Sequence, residues 1–447
     1  MNQPDLSKKR VVVMGLGRFG GGVGVSRYLV GRGARVLVTD LLPADQLRDS
    51  LTQLRGLGGF RGIRGLPIEF RLGEHREEDF TAADLIVVNP AVDPRHNRYL
   101  QAARQAGVPF TTEIRLLVAA LPNQRRTIGV TGTAGKSTVT SMIGHALQHC
   151  LSPQGTRVHV GGNLGGSLLD RVQAISPEDW VVLELSSFML EALGEDHWSP
   201  HVALVTNISG NHLDRHGTMQ AYAAAKQQIL EHQRPGDHVV LGPGVERWLR
   251  PQVATATRVD RAPAPPLELL IPGQHNQLNA AIAIAATTAA AGIEPPAAAI
   301  ALKSFPGLPH RLQLVGTWDS VRYFNDSKAT TPEAAQLAIR SFEPQTVHVI
   351  LGGYDKKSDL TALAHFAARR CRAVYTVGAT GDAIAQAVQS AGGTAVPCGT
   401  VERAVEEARK RARPGEVVLL SPGCASWDQF ENYEKRGQAF LAAAAKS

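Results

Sequence analysis

The sequence predicts an α/β protein of three units, each a parallel sheet covered by helices, and three observations carry that prediction. Short runs rich in Val, Ile and Leu, namely VVVMG, VLVTD, LIVVN, VVLEL, ALVTN, HVILGG and EVVLLSPG, recur between longer Ala-rich helical stretches. That alternation is the pattern of strands buried on both faces in parallel sheets. A chain of 447 residues also exceeds what one hydrophobic core usually supports, so several domains are expected. Third, the unusual residues begin where apolar runs end, at Gly15, Gly132, Glu184, Asn207, Asn325, Gly352 and Ser421. Ligands of open α/β sheets bind at those strand ends. Breaks around Leu121-Pro122-Asn123 and from Phe305 through Pro306, Gly307 and Pro309 to Arg311 separate the units. We assign them as residues 1–112, 113–306 and 307–447. The Pro-rich RAPAPP from Arg261 to Pro266 reads as a surface connection inside the middle unit.

The totals narrow the function classes. A content of 43% hydrophobic and 19% charged residues is globular, and no apolar run approaches the roughly 18 residues that span a bilayer. The start, MNQPDLSKKR, leads into a glycine turn instead of an apolar stretch with a cleavage site. A cytoplasmic protein without a membrane partner is therefore expected. The four cysteines, Cys150, Cys371, Cys398 and Cys424, form no CxxC pair, which points away from a disulfide framework and a zinc site. The net charge of +7 is spread among acids without a long basic run, so anionic small molecules explain it as well as nucleic acid does, and no nucleic-acid partner is expected.

Along the chain, VVVMGLGRFG places Gly15, Gly17 and Gly20 as GxGxxG directly after a strand, with Asp40 closing the next strand about twenty residues on. This predicts a Rossmann-like first unit, in which glycines let the backbone approach a diphosphate and the acid accepts hydrogen bonds from a ribose or a base. A tight strand-to-helix turn with no ligand is the competing reading. TIGVTGTAGKST is the strongest signal. A strand to Val130 is followed by Gly132, Thr133, Ala134, Gly135, Lys136, Ser137 and Thr138, and then by a helix. These are the parts of a phosphate-binding loop: backbone N–H groups surround phosphates, Lys136 neutralises charge, and the Ser137 hydroxyl can ligate magnesium. The middle unit is thus expected to be a phosphate-loop ATPase-type parallel sheet, although Val130 stands where the strict pattern has Gly.

Later clusters are individually less specific. Glu184, at the mouth of a buried strand, suits a magnesium ligand, while a solvated strand-end acid is about as common. His212 in NISGNHLDRHG and Lys226 in AYAAAKQQIL would, taken alone, be surface residues. Asn276 and Asn279 precede an Ala-rich helix, where amides often act as simple caps.

Taken together, GTxGKS, GGNLG, ELSSF, TNISGNHLDRHG, AAAKQ, GLPHRLQLV and NDSKATTP resemble the Mur ligases over essentially the whole chain. SPGCASWDQFENYEKRG resembles the tail of their D-glutamate-adding branch. The resemblance implies a third, Rossmann-like unit that binds the amino acid. It implies an ATP-dependent ligase acting on UDP-N-acetylmuramoyl-L-alanine and D-glutamate through an acyl phosphate, in peptidoglycan precursor synthesis. It assigns two magnesium ions to Ser137, Glu184, His212 and a carbamylated Lys226, and adenine contacts to Asn276 and Asn279. Arg311 would reach the ATP phosphates and Asp326 the ribose; Asn163 would meet the muramoyl group. Gly15, Gly17 and Asp40 would hold the UDP part. Lys328, Thr330, Lys356, Ser426 and Tyr433 would line the D-glutamate side, Tyr433 standing where the family commonly has Phe. A monomer is expected. The first unit departs from the family: Phe19-Gly20-Gly21-Gly22 replaces Ser-Gly-x-Ser, and Asn89-Pro90-Ala91 replaces Ser-Pro-Gly. A dehydrogenase would leave the phosphate loop and NDSKATT without a role, and a nucleic-acid ATPase lacks its basic-aromatic stripe here.

Overall fold

The computed structural model describes residues 5–17, 20–55, 68–90, 92–248, 254–354 and 359–445. The chain forms two compact units, Met1–Arg261 with Ile282–Ala298, and Ala262–Ala281 with Ala299–Ser447. Between them they hold three sheets.

The first sheet contains β1 (Arg10–Met14), β2 (Arg35–Asp40), β3 (Ile68–Leu72), β4 (Leu85–Val88) and β5 (Phe110–Thr112). Its order is β3-β2-β1-β4-β5, with every pair parallel, the doubly wound arrangement expected of a Rossmann-like unit. Side chains alternate across β1: Val11 and Val13 join one apolar cluster, Val12 and Met14 another. Period-two alternation is hidden in the sequence because both faces are covered.

The second sheet contains β6 (Thr127–Thr131), β7 (Val158–Gly162), β8 (Trp180–Glu184), β9 (Val202–Val205), β10 (Asp237–Leu241) and β11 (Ala254–Arg258). It too is wholly parallel, in the order β11-β10-β9-β6-β8-β7. From β6 the chain builds outward first on the β8 side and then on the β9 side, so the loop after β6 lies at the topological switch point. Its apolar residues are continuous with those of the first sheet: Leu116, Leu117, Leu183 and Val205 share one cluster with Val11 and Val38. The break at Leu121-Pro122-Asn123 therefore separates two sheets without separating two cores.

The third sheet contains β12 (Gln313–Trp318), β13 (Val321–Asn325), β14 (Val347–Gly352), β15 (Ala373–Val377), β16 (Ala395–Gly399) and β17 (Val417–Leu420), in the order β12-β13-β17-β14-β15-β16. All of its pairs are parallel except the β12–β13 hairpin. That hairpin turns through Asp319 (φ 50°) and Ser320 (φ 60°), the left-handed pair that matches strand twist. The boundary between the compact units falls inside RAPAPP, after Arg261, where the sequence reading has a connection internal to the middle unit. Among the described residues, no helix is long and apolar enough to cross a membrane, and all four cysteines are free.

Candidate active site

The strand ends at the switch point supply the first cluster. Gly132 (φ 142°) leaves β6 with a backbone that only glycine adopts readily, and a Cβ there would stand 2.0 Å from Thr206 Oγ1. The loop is then fixed from β9's end. Asn207 Nδ2 donates to Ala134 O (3.0 Å) while Asn207 Oδ1 accepts from Ala134 N (3.0 Å), and Thr206 Oγ1 donates to Ala134 O (2.7 Å). Thr133 Oγ1 donates to Ser209 O and accepts from Ser209 N. Gly135, left-handed at φ 80°, caps the helix Lys136–Leu151, whose amino end carries Ser137 and Thr138. Lys136 Nζ donates to Thr133 O (3.0 Å). A helix amino terminus below such a loop concentrates N–H donors for phosphate.

Glu184 ends β8 beside this loop and is 2% exposed. Its Oε1 accepts from Asn163 Nδ2 (3.0 Å), and its Oε2 is buried with no hydrogen-bond partner. Gly162 (φ 87°) allows the GGNLG turn to close on Glu184, since a Cβ there would lie 2.4 Å from Glu184 O. An unsatisfied buried carboxylate oxygen is costly, and a hard divalent cation with oxygen ligands would satisfy it. Lys226 lies in the middle of the helix Met219–Glu231 and is likewise 2% exposed. Its Nζ donates to Thr131 Oγ1 (3.2 Å) and sits 4.8 Å from the Tyr222 ring centroid. Burial, reinforced by the Lys136 charge and opposed by Glu184, brings its pKa down to about 7. Lys136, Glu184 and Lys226 thus share one electrostatic neighbourhood.

His212 is placed less tightly. It is exposed, left-handed at φ 52°, and its ring meets Phe188 edge-on at 5.4 Å. The neighbouring His216 is hydrogen-bonded to Ser187 Oγ (2.9 Å). Among the described residues no three His, Cys, Asp or Glu side chains form a metal-holding group.

In the first sheet, Gly15 (φ 93°) and Gly17 (φ 65°) form the expected turn. Asp40 holds that turn directly: Oδ2 accepts from Gly17 N (3.0 Å) and Oδ1 from Leu42 N (2.9 Å). The glycine that permits close helix–strand packing is Gly22, where a Cβ would stand 2.4 Å from Leu16 O. At Gly20 a Cβ would meet nothing within 4 Å.

The second compact unit carries another cluster. Asn276 and Asn279 are buried and bonded locally, Asn276 Nδ2 donating to Pro272 O (2.6 Å) and Asn279 Nδ2 to Asn276 Oδ1 (3.2 Å). The turn around Arg311 is stitched to the NDSK turn after β13. Asp326 Oδ1 accepts from Leu312 N (3.1 Å), Oδ2 accepts from Ser421 Oγ (2.8 Å), and Lys328 N donates to His310 O (3.1 Å). Burial raises Asp326 to about 7 against these bonds and the Arg311 charge. Lys328 Nζ lies 5.1 Å from the Tyr433 ring centroid, Thr330 N donates to Lys328 O, and Ser426 is buried with its carbonyl accepting from Gln429 N and Phe430 N. Lys356 falls outside the described residues.

Several contributors escape sequence reasoning. Tyr222 carries the one available signal, lying four residues before Lys226 on the same helix face. Thr131, Thr206 and Arg436 look ordinary in sequence. Arg436 is 1% exposed and donates to Ser327 O, Ser327 Oγ, Cys424 O and Ala425 O, joining the NDSK and SPGCAS turns.

Comparison with known proteins agrees with this layout. The Mur ligase MurD-like N-terminal domain matches residues 9–112, the Mur ligase middle domain 130–247, and the Mur ligase glutamate ligase domain 310–424. The UDP-N-acetylmuramoylalanine–D-glutamate ligase of Roseiflexus sp. (strain RS-1) is 42% identical, over 98% of each chain. The protein of the same name from Koribacter versatilis (strain Ellin345) is 37% identical, over 98% of this chain and 97% of its own. Among solved structures, the UDP-N-acetylmuramate–alanine ligase of Thermotoga maritima superposes with a TM-score of 0.61 at 20% identity, covering 97% of this chain and 98% of its own, a likeness of fold. On the strength of its full-length relatives and the three matched domains, the chain belongs to the Mur ligase family.

Proposed function

We propose that this protein is an ATP-dependent ligase that joins D-glutamate to UDP-N-acetylmuramoyl-L-alanine in peptidoglycan precursor synthesis, as its full-length relatives are named to do. The observation that carries the chemistry is the cluster of a phosphate loop, the unsatisfied Glu184 oxygen and the low-pKa Lys226. A carboxylate is a poor acyl donor because it repels an incoming lone pair and has no leaving group. Its oxygen attacks the γ-phosphorus of ATP, the bond from that phosphorus to the bridging oxygen breaks, and ADP departs. The amine nitrogen of D-glutamate then attacks the acyl-phosphate carbon. The C–O bond to phosphate breaks, the nitrogen loses its proton, and an amide and inorganic phosphate result.

The loop N–H groups and Lys136 hold the phosphates and offset charge that grows on them during transfer. Arg311 adds a further positive charge toward the phosphates, while Asn276, Asn279 and Asp326 hold the nucleoside. Gly15, Gly17, Asp40 and Asn163 serve the UDP-muramoyl substrate. Lys328, Thr330, Lys356, Ser426 and Tyr433 serve D-glutamate. The ranges 1–112, 113–306 and 307–447 are the corresponding functional domains. Glu184, His212, Ser137 and Lys226 would hold two magnesium ions, which supply Lewis-acid screening of phosphate oxygens. A Lys226 amine with a pKa near 7 is substantially neutral at physiological pH and so can add to carbon dioxide. The resulting carbamate replaces a cation with an anion beside Glu184, a better partner for divalent ions. We place the enzyme in the cytoplasm as a monomer.

Hydroxylamine tests the intermediate. Supplied in place of D-glutamate with ATP, magnesium and UDP-N-acetylmuramoyl-L-alanine, it is expected to yield the hydroxamate with one ADP per product. Formation of AMP, or no hydroxamate under conditions that support D-glutamate addition, would contradict the acyl-phosphate route.

A further inference from the structure

The central sheet has a second concave site at the end opposite the phosphate loop. An open cleft is lined by the connections that lead into β6, β9 and β10, three neighbouring strands. One strand length, about 15 Å at the usual rise, separates it from the phosphate loop. We propose that this cleft is a binding site for a small phosphate-bearing polyanion, independent of the nucleotide site.

The argument rests on which charges already have partners. Both carboxylates in the lining are engaged: Asp237 Oδ1 with His201 Nδ1 (2.8 Å), Asp237 Oδ2 by Arg234 N (2.6 Å), and Asp196 Oδ2 by Arg115 Nε (2.6 Å). The cations are not. Arg125 and Arg234 are exposed, and their guanidinium groups make no ion pair or hydrogen bond among the described residues. They project from separate turns that meet, since Arg125 Nη1 lies 3.7 Å from where a Cβ on Gly236 would stand. Behind them the His197 and His232 rings meet edge-on, centroids 4.8 Å apart. His197 holds a left-handed backbone at φ 55°, which is uncommon outside glycine and is kept where the surroundings impose it. The wall is rigid: Trp198 is buried, and its indole N–H donates to Gln124 Oε1 (2.7 Å). Burial, and then the neighbouring His197, lower the pKa of His232, a shift that a bound anion would oppose. Two guanidinium forks on adjoining turns, in a cleft that His197 and His232 also line, suit oxygens spread over linked phosphates better than a single carboxylate.

Pyrophosphate is the probe, titrated calorimetrically in magnesium-free buffer into full-length wild type, Lys136→Ala, and a triple variant that adds Arg125→Ala and Arg234→Ala to Lys136→Ala. Matching thermal melts verify that each is folded. The proposal expects a site in Lys136→Ala that weakens at least about tenfold in the triple variant, the loss of one or two charge-assisted contacts. No binding to Lys136→Ala, or equal binding to Lys136→Ala and the triple variant, would overturn it. Citrate binding this site as tightly as pyrophosphate would overturn the phosphate assignment.

Discussion

A lysine enclosed beside a second lysine holds its proton weakly, and Lys226 is in that position. Its folded pKa is lower than that of the unfolded chain, so from about 7 up to the ordinary lysine range the unfolded state binds more protons. Stability from this group therefore increases as pH rises through that window, and below it the full cost of a buried ammonium applies. The same neutral amine is what carbamate formation requires, so activity in bicarbonate buffer is expected to climb as pH passes from about 6 to about 8. Lys226→Ala should lose most activity, and acetate or formate should restore part of it by supplying the missing oxygens; an inactive variant that no short carboxylate rescues would contradict the carbamate. Lys136, Glu184 and Lys226 were legible because each sits in a motif. Asn163 also lies in a motif, GGNLG, but its contact with Glu184 depends on Gly162 closing the turn, which spacing alone does not reveal.

At the level of elements, the strand-to-loop junctions decide the geometry. Gly132 leaves β6 in a glycine-only conformation against Thr206, so Gly132→Ala combines backbone strain with a steric clash. A stability loss of about 1–3 kcal/mol is expected by urea denaturation, together with loss of nucleotide binding. An unchanged unfolding midpoint with normal ATP affinity would mean that the loop is not fixed from β9 as described. Parallel strands were readable because burial on both faces leaves unbroken apolar runs. The β12–β13 hairpin was not, since QLVGTWDSVRYF mixes polar and apolar residues and turns through Asp-Ser, a pair far less diagnostic than Asn-Gly. The N-terminal glycine loop was legible in outline, yet the glycine that permits close packing is Gly22 and not the motif's third glycine, Gly20, because contact depends on where the following helix begins.

For the whole molecule, periodicity and breaks yielded three sheets, but compactness follows shared apolar surface and not chain punctuation. Leu183 and Val205 pack in one cluster with Val11, so the first two sheets form a single compact unit, whereas the unit boundary falls within RAPAPP. All three matched domains lie in one chain. A phosphate loop alone fits many ATPases, and on the proposed function the choice of amino acid rests with the third domain. D-Glutamate presents two carboxylates and a D centre, which calls for cationic and hydrogen-bonding groups placed asymmetrically. The most direct measurement is phosphate release with ATP, UDP-N-acetylmuramoyl-L-alanine and, in turn, D-Glu, L-Glu, D-Asp, L-Lys and meso-diaminopimelate. Release with D-Glu, at a rate well above every other amino acid, is the predicted result; preference for L-Lys or diaminopimelate, or release indifferent to the amino acid, would contradict the assignment.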